Sequence, residues 1–159
     1  MIVCGIDPGL GGAICLLEDG EPPLLAKMPT RQRAIYKGRR VDWATLRGWL
    51  WEGRVDFAVL EAQHSMPRQG VASTFTFGGA YEGCVAVLDV RLVPYEEVAP
   101  QTWQKAFGIH KIKGAPKNTT KHQAKVIAQS LFPTLDGITL QTADAVLLAE
   151  FARRRRGGH

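Results

Sequence analysis

Met1-Ile2-Val3-Cys4-Gly5-Ile6-Asp7-Pro8-Gly9-Leu10-Gly11-Gly12 opens the chain, and Ala13-Ile14-Cys15-Leu16-Leu17 follows it directly. Residues 2–6 are an apolar run rich in β-formers, which predicts a strand buried on both faces. The run stops at a carboxylate, and Pro8 with the glycines at 9, 11 and 12 turns the chain back into a second strand. A charge at the end of a buried strand is costly unless something binds it, and a metal ion is one solution. An Asp that only caps the Gly-rich turn is the other reading. This stretch leaves both open.

The 159 residues are expected to form one domain, long enough to bury a full core. No signal peptide is evident, and no apolar run reads as long enough to span a bilayer, so no membrane partner is expected. Cys4, Cys15 and Cys84 lie among apolar residues without metal-ligand spacing, which suits small core hydrophobes in a reducing cytoplasm.

The net charge of +5 is unevenly placed. Residues 1–95 carry ten basic and ten acidic side chains; residues 96–159 carry ten and five, so the whole excess lies there. No acid occurs from 98 to 135, where Lys105, Lys111, Lys113, Lys117, Lys121 and Lys125 stand. A second acid-free window, 22–41, holds Lys27, Arg31, Arg33, Lys37, Arg39 and Arg40. Basic stretches cleared of acids suit a polyanion such as DNA, because each phosphate contacted releases counterions. An ordinary solvated surface is the bland alternative.

Residues 24–28 complete a three-stranded meander after the Asp19-Gly20 hairpin signal. Residues 29–40 lack periodicity and read as a mobile loop; 41–51 read as a helix capped by Asp42. Residues 55–60 form a strand that again ends on a carboxylate, Glu61. A long helix of small residues over 69–88, a strand over 91–95 and a helix over 96–107 follow. After a Lys-rich loop come helices over 118–131 and 140–153. The last carries Asp144 on the same stripe as Leu148 and Phe151, with Gln141 one turn earlier. The tail Arg153–Arg156 reads as a frayed, solubilising end.

This order predicts an α/β fold, a mixed five-stranded sheet flanked by helices. If the strand ending at Glu61 lies parallel beside the one ending at Asp7, both carboxylates emerge at one sheet edge, within reach of Asp144. Three converging carboxylates repel one another and call for a cation. Oxygen ligands without His or Cys point to Mg²⁺ or Mn²⁺, and beside a basic surface to two-metal phosphodiester hydrolysis.

Gly5-Ile6-Asp7-Pro8-Gly9, Leu60-Glu61 and Ala143-Asp144-Ala145 resemble, in order and spacing, the motifs of RuvC-type Holliday junction resolvases of the ribonuclease H-like superfamily. Residues 79–87 look like that family's interface helix, and 100–105 and 120–125 like the segments bearing its two functional lysines, here Lys105 and Lys121. The resemblance implies a single ribonuclease H-like nuclease domain over 1–159. It further implies a homodimer that binds a four-way junction, with up to two Mg²⁺ per site, and nicks two symmetry-related strands to leave 5′-phosphates. Lys111, Lys113, Lys117, Lys125, Arg39 and Arg40 would be further DNA contacts. Gln141, a weak neutral ligand, stands where the family usually has Asp or His. His64 stands where an aromatic wedge is usual, with Phe75 or Phe77 as possible substitutes. The short, divergent chain suggests a phage or otherwise divergent branch, working in the cytoplasm of a bacterium or of an infected bacterial host.

Two rivals remain. The stretch 7–12 also resembles the phosphate loop of actin-like phosphotransferases, but those need two lobes and a nucleotide; nucleotide-dependent thermal stabilisation would favour that reading over one with no nucleotide cofactor. A DNA-binding module with a dead site differs by its lack of Mg²⁺-dependent nicking.

Overall fold

The computed structural model describes residues 1–35, 37–52, 54–63 and 70–157. Its elements are β1 (Ile2–Asp7), β2 (Ala13–Glu18), β3 (Leu24–Lys27), β4 (Thr30–Gln32), β5 (Arg39–Val41), α1 (Trp43–Glu52), β6 (Phe57–Glu61), α2 (Val71–Val90), β7 (Tyr95–Val98), α3 (Pro100–Ala106), α4 (Thr119–Leu131) and α5 (Ala143–Gly157). Five strands form one mixed sheet, as the sequence predicts, and their order is β3-β2-β1-β6-β7. β1 pairs antiparallel with β2 and parallel with β6, and β7 joins β6 in parallel.

Strand alternation sorts the core into two layers. Val3, Ala13, Cys15, Leu17, Phe57 and Val59 face α3, α4 and α5, whereas Cys4, Ile6, Ile14, Ala58 and Leu60 face α1 and α2. β1 and β6 are therefore buried on both faces. The close fit of β1 to α5 depends on Gly5, where a Cβ would lie 2.2 Å from the backbone nitrogen of Ala149 and 2.3 Å from the carbonyl of Ala145. The turn after β1 closes tightly for a similar reason: a Cβ on Gly12 would sit 2.0 Å from the Asp7 carbonyl oxygen.

Four expectations need correction. The supposed loop over 29–40 contains the arms of a small hairpin, β4 paired with β5, fastened where the Arg39 guanidinium donates to the Thr30 hydroxyl (2.8 Å) and carbonyl (2.6 Å). Arms of three residues are too short to show periodicity in sequence. The last strand lies at Tyr95–Val98 instead of 91–95, because the chain turns at Leu92 (φ 53°) and the Glu96-Glu97 pair extends along the sheet edge. Edge pairing overrides the helical preference of two glutamates. The tail is not frayed: Arg154, Arg155 and Arg156 stack over Phe107, Phe151 and Phe57 at 4.6, 5.3 and 4.1 Å, and buried Glu150 pairs with Arg153 and Arg154. Finally, α2 does have the length and mean hydropathy (1.2) to cross a membrane, although as a composition signal this is weak. It buries Ala80, Cys84, Val87 and Leu88 against the sheet and leaves Val71, Phe75 and Val90 exposed.

Candidate metal centre

The register carries the carboxylates together. Gly5 lies opposite Val59 and Ile6 opposite Leu60, so the next residues, Asp7 and Glu61, end two parallel strands side by side. By strand parity both belong to the face that α5 covers. α5 approaches that face closely at Gly5, which brings Asp144 in its first turn to the same edge. Asp7, Glu61 and Asp144 line one cavity of about 510 Å³, together with the glycine turn, Gln63, Phe77, Gln104, Thr120 and Lys121.

Two of the three carboxylates are oriented by a neighbour. Buried Trp103 donates its indole N–H to Glu61 Oε1 (2.9 Å), and the Gln63 amide donates to Oε2 (2.9 Å). Lys121 Nζ stands 3.5 Å from Asp144 Oδ2. Among the described residues no three acids, His or Cys are close enough to share one ion as they stand; the three expected carboxylates converge on one cavity without closing into a ligand cage. The donor set nonetheless fits a hard divalent cation. Burial first, then Glu61 and Asp144, push the Asp7 carboxyl up to about 8, with Lys121 opposing. Burial pushes Glu61 up to about 7 and Asp144 adds to this, while the Trp103 and Gln63 hydrogen bonds and Lys121 oppose it. Asp144 is raised by burial, opposed by Lys121.

These shifts fix a sign. A carboxyl that keeps its proton in the fold while the unfolded chain has lost it makes stability fall as pH rises. The window runs from the ordinary carboxyl range, roughly 4, to the raised values of about 7 and 8. In chelator, the melting temperature is expected to drop between pH 5 and pH 8, and Asp7→Asn to remove much of the drop. A flat profile for the wild type, measured by calorimetry, would mean that burial does not hold these carboxyls protonated in the fold.

Other expected site residues fall differently. Lys105 is exposed and outside the cavity; its neighbour Gln104 lines it, because α3 starts at Pro100 and turns Trp103 and Gln104 inward. Gln141 is also exposed and outside. α5 begins at Ala143, after a turn in which the Thr142 hydroxyl accepts from the Thr139 N–H (2.8 Å), so Gln141 does not share a helical face with Asp144. Lys111 and Lys117 line a neighbouring hollow that reaches Thr120, Lys113 is exposed, and Lys125 is half-buried on α4. Arg39 is committed to Thr30, whereas Arg40 is exposed. His64 lies outside the described residues. Sequence reasoning missed Trp103, Gln63 and Gln104; their types carry no metal signal, and only packing shows their role.

No protein-family model matches the sequence, and no curated protein matches it. Solved structures do. Thermus thermophilus RuvC superposes with a TM-score of 0.63 at 16% identity, over 99% of this chain and 97% of that one. T. thermophilus RuvC in complex with a Holliday junction substrate gives 0.60 at 16% identity, over 94% and 90%. The mixed five-stranded sheet with helices on both faces, which carries Asp7, Glu61 and Asp144 to one edge, is the RuvC-like, ribonuclease H-like fold.

Proposed function

We propose that this chain is a divalent-metal-dependent DNA endonuclease that resolves four-way junctions, a crossover junction endodeoxyribonuclease built on one domain over residues 1–159. The observation that carries the reading is the meeting of Asp7, Glu61 and Asp144, from β1, β6 and α5, in one cavity with Lys121 at its rim. The similar fold of a RuvC solved with a Holliday junction substrate supports the choice of branched DNA. Asp7, Glu61 and Asp144 would hold Mg²⁺ or Mn²⁺, which supplies an activated water and charge neutralisation at the phosphate. Trp103 and Gln63 hold Glu61 in place, and Lys121 offers a positive charge to the scissile phosphate. The exposed lysines between α3 and α4 extend that positive field over the flanking DNA. Three buried free cysteines suit a reducing cytoplasm.

Cleavage of a labelled synthetic four-way junction over a Mg²⁺ titration tests the reading; paired nicks near the crossover support it, and junction binding without any cutting leaves a binding module. Lys121→Ala is expected to slow single-turnover cleavage at saturating DNA by about 10²-fold, the scale of one lost transition-state contact. Lys113→Ala should leave that rate alone and lower the salt slope of binding by about one.

The reading includes a homodimer, since a two-fold assembly matches two equivalent strands. Within the α2 segment expected as the interface, Gly83 is already used: a Cβ there would lie 2.2 Å from the Trp43 ring. Gly79 faces open space and lies with Phe75 on the exposed side. Gly79→Leu is therefore expected to leave a folded chain that sediments as a monomer and nicks without paired cutting, whereas Gly83→Leu should disrupt α1–α2 packing. Unchanged sedimentation of a wild-type dimer in Gly79→Leu would place the interface elsewhere.

A further inference from the structure

β3 is an outer strand of the sheet, and the register tells which of its backbone groups are free. The Met28 N–H donates to the Gly12 carbonyl (2.9 Å), one step beyond the Ala13–Lys27 pair. Alternation along an antiparallel ladder then turns the N–H and C=O of Leu25 and Lys27 outward. Among the described residues no other backbone group meets them there. Two adjoining hollows of about 440 and 360 Å³ open beside this strand, and Ile2, Leu16, Glu18 and Leu24 line both. They lie where β1 begins and β2 ends, since Ile2 stands opposite Glu18, so the length of β1 separates them from Asp7. α1 seals Leu50 into the core on this side but leaves Leu24 67% exposed and Trp49 half-buried. The charge here is the reverse of the chain's +5. Glu18, Glu21 and Glu52 line the hollows, all exposed, and no Lys or Arg does. None of the three has an ion-pair partner among the described residues, and the nearby N-terminal ammonium is taken by Asp19 (3.3 Å).

An acid rim repels DNA and attracts a cation-bearing partner. A free strand edge takes an extended segment, whose alternate side chains then fall into the hollows beside it. We propose that β3 docks an extended segment of a partner protein, apolar at alternate positions and ending in Lys or Arg beside Glu18, Glu21 and Glu52. Its backbone pairs with Leu25 and Lys27, and an apolar side chain fills the hollow over Leu16, Leu24 and Trp49. The negative end of α1, which has no basic residue in its last turn, adds to the attraction. Lys27, exposed at the other end of β3, is the kind of edge charge that discourages two copies of one strand from pairing. The partner sits at the end of the sheet away from the carboxylates, so it and DNA can be held together. The docking edge stands whether or not the chain cuts DNA.

The experiment pans a phage-displayed library of random peptides on the full chain, in EDTA with excess blunt duplex to occupy the basic surface. Enriched peptides are expected to alternate apolar residues and to carry Lys or Arg at one end. The best of them is synthesised, labelled and measured by anisotropy. Glu18→Lys with Glu52→Lys, first shown to have an unaltered melting curve, should weaken it about tenfold, from two reversed rim contacts at a few-fold each. The same peptide with its basic residues changed to glutamate should prefer that variant to the wild type. N-methylation at alternate peptide residues should cost about tenfold in one phase of the alternation and less than about threefold in the other, because one edge of the segment faces β3. Amide exchange at Leu25 and Lys27, followed by NMR, should slow when the peptide is added. No enrichment over the charge-reversed variant, acidic winners, equal costs in both methylation phases or unchanged exchange would each overturn the proposal. Displacement of the peptide by duplex would overturn it by placing the peptide on the basic surface. Slowed exchange that follows protein concentration without peptide would give the edge to a second copy instead. A chain that never cuts but selects these peptides keeps the edge and loses the nuclease, and a cutting chain that selects none loses the edge alone.

Discussion

Asp7→Asn, Glu61→Gln and Asp144→Asn are each expected to reduce junction cleavage by about a thousandfold or more, with DNA binding unchanged or tighter. Losing a ligand removes the metal's charge stabilisation, worth several kcal/mol, and each ~1.4 kcal/mol is tenfold in rate. The binding outcome has the opposite sign because the three acids line one cavity and repel an incoming phosphate. Without metal, Asp7→Asn should show only a small gain near neutral pH, since the Asp7 carboxyl, raised to about 8, already holds its proton there. Single-turnover cleavage and anisotropy on the same junction separate the two effects. A variant that cuts at near wild-type rate would remove that residue from the metal site; one that loses binding and cleavage together would be misfolded or would mark a contact to DNA.

Gly5→Ala is expected to destabilise the fold by at least about 3 kcal/mol, the upper range for overpacking a core, out of a total that is typically about 5–15 kcal/mol. The three atoms nearest the added methyl are all backbone, the Ala149 nitrogen at 2.2 Å, the Ala145 carbonyl oxygen at 2.3 Å and the Leu148 carbonyl carbon at 2.8 Å. No rotamer can relieve that contact, so α5 itself must move away from β1. Asp144 rides on α5, so any folded remainder should also bind metal more weakly. Gly48→Ala is the matched control: it lies inside α1 with nothing within 4 Å of its would-be Cβ, and should stabilise by about 0.5–1 kcal/mol through backbone entropy. Denaturant melts of the two variants, read against the wild type, decide the matter. Equal midpoints would mean that β1 and α5 are not in this close contact.

The sequence by itself determined the architecture and its three acids. Two buried strands each stop at a carboxylate, and period-two alternation places Asp7 and Glu61 on one face once the strands are parallel; Asp144 follows from its place on a helical stripe. These are local patterns, and local patterns survive into the fold. Where pairing partners are distant, the sequence could not choose. Whether Glu96 and Glu97 start a helix or extend an edge strand depends on β6, some forty residues away in sequence. Whether Gln104 or Lys105 faces the carboxylate cavity depends on the rotation of α3, which the burial of Trp103 decides. The helical start at Ala143, which keeps Gln141 out, is set by hydroxyl bonds between Thr139 and Thr142 that polar residues in a turn do not advertise. The same holds for Gly83, whose small side is taken up by Trp43 of the same chain, and for the acid-lined hollows beside β3. Only tertiary packing brings Glu18, Leu24 and Glu52 together, because the free energy that places them belongs to contacts between segments and is written in no segment alone.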